Sequence, residues 1–355
     1  MSEFSMPNIK QLTLKDSMEF VRHVSFKHRD PAMLWGEPGS GKTQAGKQLI
    51  VDTGSYPCIE HLGQYQSVDL RGYPDHQNNE MVWYPPASLP FIGNDRFPDD
   101  QPVCLMFDEF NGAQKDVFGV AMQILLEHRV GANLLKPNVW IFCAGNREGD
   151  RGVTTRMPTP VANRLKHIEV INDVPGFCDW HQAKGSIPPV GIAFHYFRKQ
   201  LISTFDPDKP DKAFATPRSW EDFWKYYQDE SIPENIREAA MAGSVGQGPT
   251  DEVIGFTKVW VEMLKTFSMH KIMSDPMGTQ LPRDSNMLYA ISVAISGEMS
   301  PKTITPLHKY LTRLGAKDPE FVILAWQLAI RRDSSLHTTA EFHDFCKQFK
   351  QVFDI

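Results

Sequence analysis

Through the first half of the chain, short apolar runs alternate with longer stretches whose apolar residues recur at helical spacing. The runs are Ala32 to Trp35, Cys58 to Leu62, Val103 to Phe107, Val139 to Ala144 and His167 to Val170. Strands separated by helices predict a parallel five-stranded sheet covered on both faces, an α/β core. Between the second and third runs lies VDLRGYPDHQNNEMVWYPPASLP, whose polar centre is flanked by VDLRGY and MVWY. That pattern predicts an inserted hairpin over Val68 to Tyr84.

Past Val170 the strand signals stop and the pattern turns helical. It is interrupted at FDPDKPDK (Phe205 to Lys212) and at GSVGQGPT (Gly243 to Thr250). The expected division is a core over 1–175, a helical lid over 176–245 and a C-terminal helical region over 246–355. Phe256, Trp260, Met263 and Phe267 recur at helix spacing, as do Phe342, Phe345, Phe349 and Val352. Both stripes read as core faces, the usual role of such a pattern.

The 355 residues exceed one ordinary core, which agrees with more than one domain. Apolar residues make up 41% and charged residues 23%, a globular composition. The net charge of -6 gives no global basic field to hold a nucleic-acid backbone, although a local basic patch inside a ring could do so. Cys58, Cys104, Cys143, Cys178 and Cys346 are odd in number, far apart and without a CxxC pair, which fits reduced thiols in the cytoplasm. The densest apolar stretch, Phe321 to Ile330, is far short of the roughly 20 residues that span a bilayer. The N-terminus has no apolar signal core, so neither membrane insertion nor export is expected.

The chemistry begins at LWGEPGSGKT, Leu34 to Thr43, which fits GxxxxGK[ST] and directly follows a predicted strand. Gly36, Glu37, Pro38, Gly39, Ser40, Gly41, Lys42 and Thr43 form the expected phosphate loop. Its glycines let the backbone turn with N–H groups inward, where the helix N-terminus adds to the attraction for a triphosphate. Lys42 reaches the outer phosphates of ATP, and Thr43 can ligand Mg2+. The bland alternative is a Gly-rich turn without a ligand, which the Lys-Thr pair in register disfavours.

Downstream, VCLMF ends in Asp108-Glu109, which puts two carboxylates at the carboxyl end of a buried strand, where ligands sit in open α/β sheets. Asp108 can hold the metal through water, and Glu109 can orient and deprotonate an attacking water. An isolated Asp-Glu pair is usually a solvated loop; the preceding apolar run and the phosphate loop favour the catalytic reading. The run VWIFCAGN ends in Asn146, which can contact the γ-phosphate or position the water, or can simply be a strand-end turn residue.

The series GEPGSGKT, LMFDEF, FCAGN, MPTPVANRLKHIEV and ATPRSW resembles the AAA+ superfamily and, within it, the MoxR-like ATPases of phage and bacterial genomes, over about residues 10 to 225. By this resemblance Lys42 and Thr43 look like the Walker A pair, Asp108 and Glu109 like Walker B, and Asn146 like sensor 1. Arg164 looks like the arginine finger, with Arg156 in the same loop, and Arg218 like sensor 2 at the start of a lid helix. The Val68 to Tyr84 hairpin sits where these proteins carry their helix-2 insert, and HRVGANLLKPNVW looks like their second hairpin. Read without the resemblance, Arg164 and Arg218 are each also ordinary candidates for a surface ion pair. The chain departs from a small MoxR-like protein in continuing helically past about residue 250 to Ile355.

The resemblance implies Mg-ATP hydrolysis in a homo-oligomeric ring, a hexamer in the pattern of the family, coupled to remodelling of a protein client. The client can be one carrying a von Willebrand A domain. Two other functions compete. A nucleic-acid motor or loader is common among AAA+ proteins, but no helix-turn-helix, zinc finger or basic tract supports it here. A nucleotide-binding scaffold without turnover would not need Glu109.

Overall fold

The computed structural model of the protein describes residues 9–147, 149–150, 157–209 and 211–349. Arg156, the second arginine of the expected finger loop, and Val352, the last member of the C-terminal stripe, lie outside the described residues. The chain divides into two compact units. The first runs to Asn172 and includes a short segment beginning at Phe205; the second comprises Asp173–Thr204 and the chain from Asp211.

In chain order the first unit contains β1 (Lys10–Thr13), α1 (Leu14–Val21), β2 (Ala32–Gly36), α2 (Lys42–Asp52), β3 (Tyr56–His61), α3 (Ser67–Arg71), β4 (Tyr73–Gln77) and β5 (Glu80–Tyr84). It continues with β6 (Val103–Asp108), α4 (Lys115–Glu127), β7 (Arg129–Val130), β8 (Asn133–Leu134), β9 (Val139–Gly145), α5 (Thr159–Ala162) and β10 (Lys166–Ile171). Six strands form one parallel sheet in the order β1-β10-β2-β9-β6-β3. The five expected strands are among them. The sixth, β1, joins the edge with Leu12 beside Val170; its sequence KQLT has one large apolar residue, too little contrast to read as a strand.

The apolar runs are continuous because successive side chains enter two different cores. Val103, Leu105 and Phe107 of β6 and Val139, Ile141 and Cys143 of β9 pack against Val117, Phe118, Ala121, Ile124 and Leu125 of α4. The residues between them, Cys104, Met106, Trp140 and Phe142, pack with Val21 of α1 and with Leu49 and Ile50 of α2. The spacing along α4 puts its buried residues on one helical face.

The inserted hairpin is shorter than the expected span. Residues Ser67–Arg71 form helix α3 instead, begun by Asp69 accepting from the Gln66 backbone N–H at 2.8 Å. The hairpin proper pairs β4 with β5, from Tyr73 opposite Tyr84 to Gln77 opposite Glu80. It turns at Asn78 and Asn79, both at positive φ (50° and 64°), the conformation of a two-residue hairpin turn. Gly72 at φ 85° separates helix from hairpin, and a Cβ there would lie 1.8 Å from the Tyr84 carbonyl oxygen. β7 and β8 form the second hairpin.

The second unit is helical: α6 (Val174–Lys184), α7 (Pro189–Phe197), α8 (Pro217–Gln228), α9 (Glu234–Val245), α10 (Gln247–Thr266), α11 (Met269–Ser274), α12 (Ser285–Glu298), α13 (Ile304–Gly315), α14 (Pro319–Arg332) and α15 (Ala340–Gln348). The break at Gly243 to Thr250, read as parting a lid from a C-terminal region, is a corner between α9 and α10 inside this unit, made at Gly246 with φ 93°. Buried residues on both sides of it, from Val174 to Phe345, belong to one cluster. Phe256, Met263, Phe267 and Phe345 are buried in that cluster, and Trp260, Phe342 and Phe349 pack against it. Among the described residues no helix is long and apolar enough to cross a membrane, and all five cysteines are free.

Candidate functional site

Strand register aligns the ends that matter. Gly36 lies beside Val170, Trp35 beside Gly145, and Asp108 beside His61. The carboxyl ends of β2, β9, β6 and β3 therefore open on one edge of the sheet, the edge where open α/β folds bind ligands.

The loop from Gly36 to Gly41 joins β2 to α2. Gly39 (φ 75°) and Gly41 (φ 89°) take the left-handed conformation that side chains resist. A Cβ on Gly36 would come 3.0 Å from the Val170 carbonyl oxygen and 3.5 Å from Cδ of Lys42. The loop is thus a bare backbone cradle. Lys42 is buried, and its ammonium donates to the carbonyls of Gly36 (2.9 Å) and Glu37 (2.8 Å) and to Oγ of Ser40 (3.2 Å). These oxygens occupy the lysine in the way phosphate oxygens would, so the charge is already held over the loop.

Thr43 donates to Oδ2 of Asp108 at 2.7 Å. A hydroxyl and a buried carboxylate side by side are oxygen donors of the kind magnesium takes, and they fit that ion with water completing its shell. Nδ1 of His61 stands 3.5 Å from the same Oδ2. The other carboxylate oxygen, Oδ1, accepts from the Glu109 backbone N–H at 3.0 Å. Glu109 is exposed and left-handed (φ 51°, ψ 37°), an unusual conformation for a residue with a side chain. Its Oε2 lies close to Gly63, where a Cβ would be 3.1 Å away.

Asn146 follows the end of β9, and its main chain is gripped by Asn111: Nδ2 of Asn111 donates to the Asn146 carbonyl at 2.7 Å, and Oδ1 accepts from the Asn146 N–H at 3.1 Å. Arg147, the next residue, is buried among acids. It meets Glu37 at 3.1 Å, Asp150 at 3.0 Å and Glu169 at 3.6 Å. Burial pushes the Asp150 carboxyl above its usual range, opposed by its bonds to Arg147. Oε2 of Glu37 accepts from Asn172 at 2.8 Å, so the side chain of this loop residue braces the loop from outside while its carbonyl faces Lys42.

Arg164 is exposed on the turn between α5 and β10, and among the described residues its guanidinium forms no ion pair. Lys166 lies beside Ala32 and Val170 beside Gly36, so about 13 Å of strand separates the Arg164 end of β10 from the phosphate loop of its own chain. The turn is held by a relay in which Trp35 Nε1 donates to His167 Nδ1 (2.9 Å) and His167 Nε2 faces the Ala162 carbonyl (2.7 Å). Arg218 belongs to the second unit, exposed in the first turn of α8, whose start is fixed by reciprocal bonds between Thr216 and Ser219.

The structure brings together Lys42, Thr43, Asp108 and Glu109, with Asn146 on the same sheet edge; Arg164 is at the other end of the strands. Sequence reasoning missed His61, Gly63, Asn111 and the Arg147 cluster. Asn111 left a signal, a polar residue within FNG directly after the carboxylate pair, whereas His61 is found only through strand register.

No protein-family model matches the chain, and no curated protein does. Among solved structures it is similar to a RuvB mutant of Thermotoga maritima, with 12% identity, TM-score 0.39 and coverage of 85% of this chain and 91% of that one. It is also similar to NtrX from Brucella abortus in complex with ADP, with 13% identity, TM-score 0.34 and coverage of 71% and 67%. The functional reading rests on the site itself.

Proposed function

We infer that the protein is a P-loop ATPase of the AAA+ type, with a MoxR-like pattern, that works as a cytoplasmic ring to remodel a protein client. The observation that carries the ATPase reading is the 2.7 Å bond from Thr43 to Asp108, which joins the phosphate loop to the Walker B strand end. In this reading the loop N–H groups and Lys42 bind the β- and γ-phosphates of ATP. Thr43, and Asp108 through water, would hold magnesium, which when bound offsets phosphate charge. Glu109 takes a proton from water as the water oxygen bonds to the γ-phosphorus and the bond to the β–γ bridging oxygen breaks, that electron pair leaving with ADP. Asn146 contacts the γ-phosphate or the water.

Arg164 supplies the finger to a neighbouring subunit. Its exposure, its lack of an ion pair among the described residues and its distance from its own loop support action in trans. Arg218, at the start of α8, is the residue the resemblance suggests as sensor 2. The hairpins favour a protein client. They contact each other through Asn133 and the Trp83 carbonyl (3.4 Å) and expose Tyr73, Met81, Tyr84 and Leu134, while the charges on β4 and β5 are the acids Asp75 and Glu80. That surface suits apolar protein contact. A partner with a von Willebrand A domain is the client the resemblance suggests.

The test mixes two variants. Arg164→Ala subunits keep Lys42 and Glu109, and Glu109→Gln subunits keep Arg164, so mixed rings contain some complete interfaces and should regain ATPase activity. Absence of rescue, with both variants folded and binding ATP, removes the finger and with it the ring-dependent site. Stimulation by DNA at near-physiological salt, and by no protein from the host, would replace the remodeller with a nucleic-acid motor.

A further inference from the structure

We propose that Asn111 is a positioning residue for hydrolysis: its side-chain amide latches the turn carrying Glu109 to the strand end carrying Asn146, so that the water-activating carboxylate and the γ-phosphate contact are held as one piece. The proposal rests on the ATPase reading above.

The β6–β9 ladder runs to Phe107 opposite Cys143, and past that point the two chains part. Asn111 continues the connection with a side chain. Its carboxamide gives one N–H to the carbonyl of Asn146 at 2.7 Å and takes the Asn146 N–H on its oxygen at 3.1 Å. A two-point contact fixes orientation as well as distance, which a single bond does not. The fit is built from both sides. Asn111 is 2% exposed, and a Cβ at Gly145 would lie 2.3 Å from its Oδ1, so only a glycine lets the amide approach the strand.

The other end of the latch is the turn of Glu109. Its left-handed backbone persists only where neighbours over-determine it. Asp108 Oδ1 holds its N–H, the Gly112 N–H holds its carbonyl at 2.8 Å, and Asn111, two residues on, is pinned to β9. Without the last restraint the turn can relax and carry the carboxylate away from the water. Misplacement by about 1 Å can cost on the order of 10²-fold in rate. The phosphate loop is a separate segment and is untouched by this change, so binding and turnover should part company.

The experiment compares wild type, Asn111→Leu, which keeps the branching at Cγ and loses both bonds, and Asn111→Asp, which keeps the shape and the acceptor and loses the donor. The expected result is a KM for ATP within about threefold of wild type and a kcat lower by 10-fold to 10²-fold, the larger loss in the leucine variant. Because the residue acts partly through Glu109, Asn111→Leu added to Glu109→Gln should lower the rate by less than it does in the wild-type background. If the leucine variant does not fold, the aspartate variant alone carries the test through the same kcat and double-variant readouts. Wild-type kcat in the folded variants, a loss confined to KM, or multiplication of the two effects in the double variant each overturns the latch while leaving the ATPase intact. A wild-type protein without ATPase activity overturns the reading beneath it.

Discussion

The hydroxyl of Thr43 donates a 2.7 Å hydrogen bond to Oδ2 of Asp108, joining the first turn of α2 to the end of β6 across 65 residues of sequence. The pair should separate the metal's contribution from that of the nucleotide. Asp108→Asn keeps the shape and loses the charge, so it should abolish the gain in ATP affinity that magnesium gives, with metal-free affinity within about threefold of wild type. Thr43→Ser should behave nearly as wild type. Titration of nucleotide with and without magnesium checks this, and a full magnesium gain in Asp108→Asn would remove Asp108 from the metal site.

Gly63 leaves the space into which the Glu109 carboxylate points. A methyl group there would sit 3.1 Å from Oε2, a contact the flexible side chain escapes by moving. Gly63→Ala should therefore cost little stability, within about 1 kcal/mol, yet displace the Glu109 carboxylate and lower kcat by about 10-fold or more. Melting temperature and kcat measured together decide it. A matched fall in both would mean general disruption, and no fall in kcat would mean that the carboxylate is not confined there.

Arg147 is held by three acidic residues in the interior. Arg147→Ala removes the cation from among those carboxylates, and removing one partner of a buried ion pair costs about 3–5 kcal/mol. Denaturant unfolding of the first unit should show a loss of that order. A loss near zero, as for a surface pair, would contradict the burial seen here.

His181 and His195 predict acid sensitivity in the second unit. Burial pushes His181 down to about 4 and His195 down to about 3, and the charge of Lys184 adds to the effect on His181 and that of His181 to the effect on His195. The unfolded chain takes up these protons below about pH 6.5, while the folded chain resists until much lower pH. Stability is therefore full above about pH 6.5 and falls on acidification, by up to about 1.4 kcal/mol per pH unit for each histidine. His195→Gln, which can still accept from Trp224 Nε1, should flatten the slope. A denaturant midpoint unchanged between about pH 7 and 5 in the wild type would refute this.

Much of the architecture was legible because it depends on local pattern. A short apolar run such as Val103 to Phe107, alternating with helical patterns, reads as a strand covered on both faces, and GEPGSGKT carries its own turn chemistry. The edge strand Lys10–Thr13 was not legible, since half-exposed pairing requires little apolar contrast. The break around Gly246 was visible, but a left-handed glycine marks a corner between packed helices as readily as a domain boundary, and only the shared core distinguishes them. In the site, the residues assigned to the nucleotide stand in motifs. Asn111, His61 and Gly63 act through approach in three dimensions, and nothing in their sequence neighbourhood states which strand end they meet.

Hydrolysis of ATP with Glu109 activating the water is tested by measuring phosphate release and bound nucleotide together in wild type and Glu109→Gln. The expected result is magnesium-dependent release by the wild type, with the variant slower by about 10² to 10⁴ and retaining intact ATP at wild-type affinity. Equal release rates in the two proteins would take Glu109 away from the water, and no ATP binding by either would remove the nucleotide site.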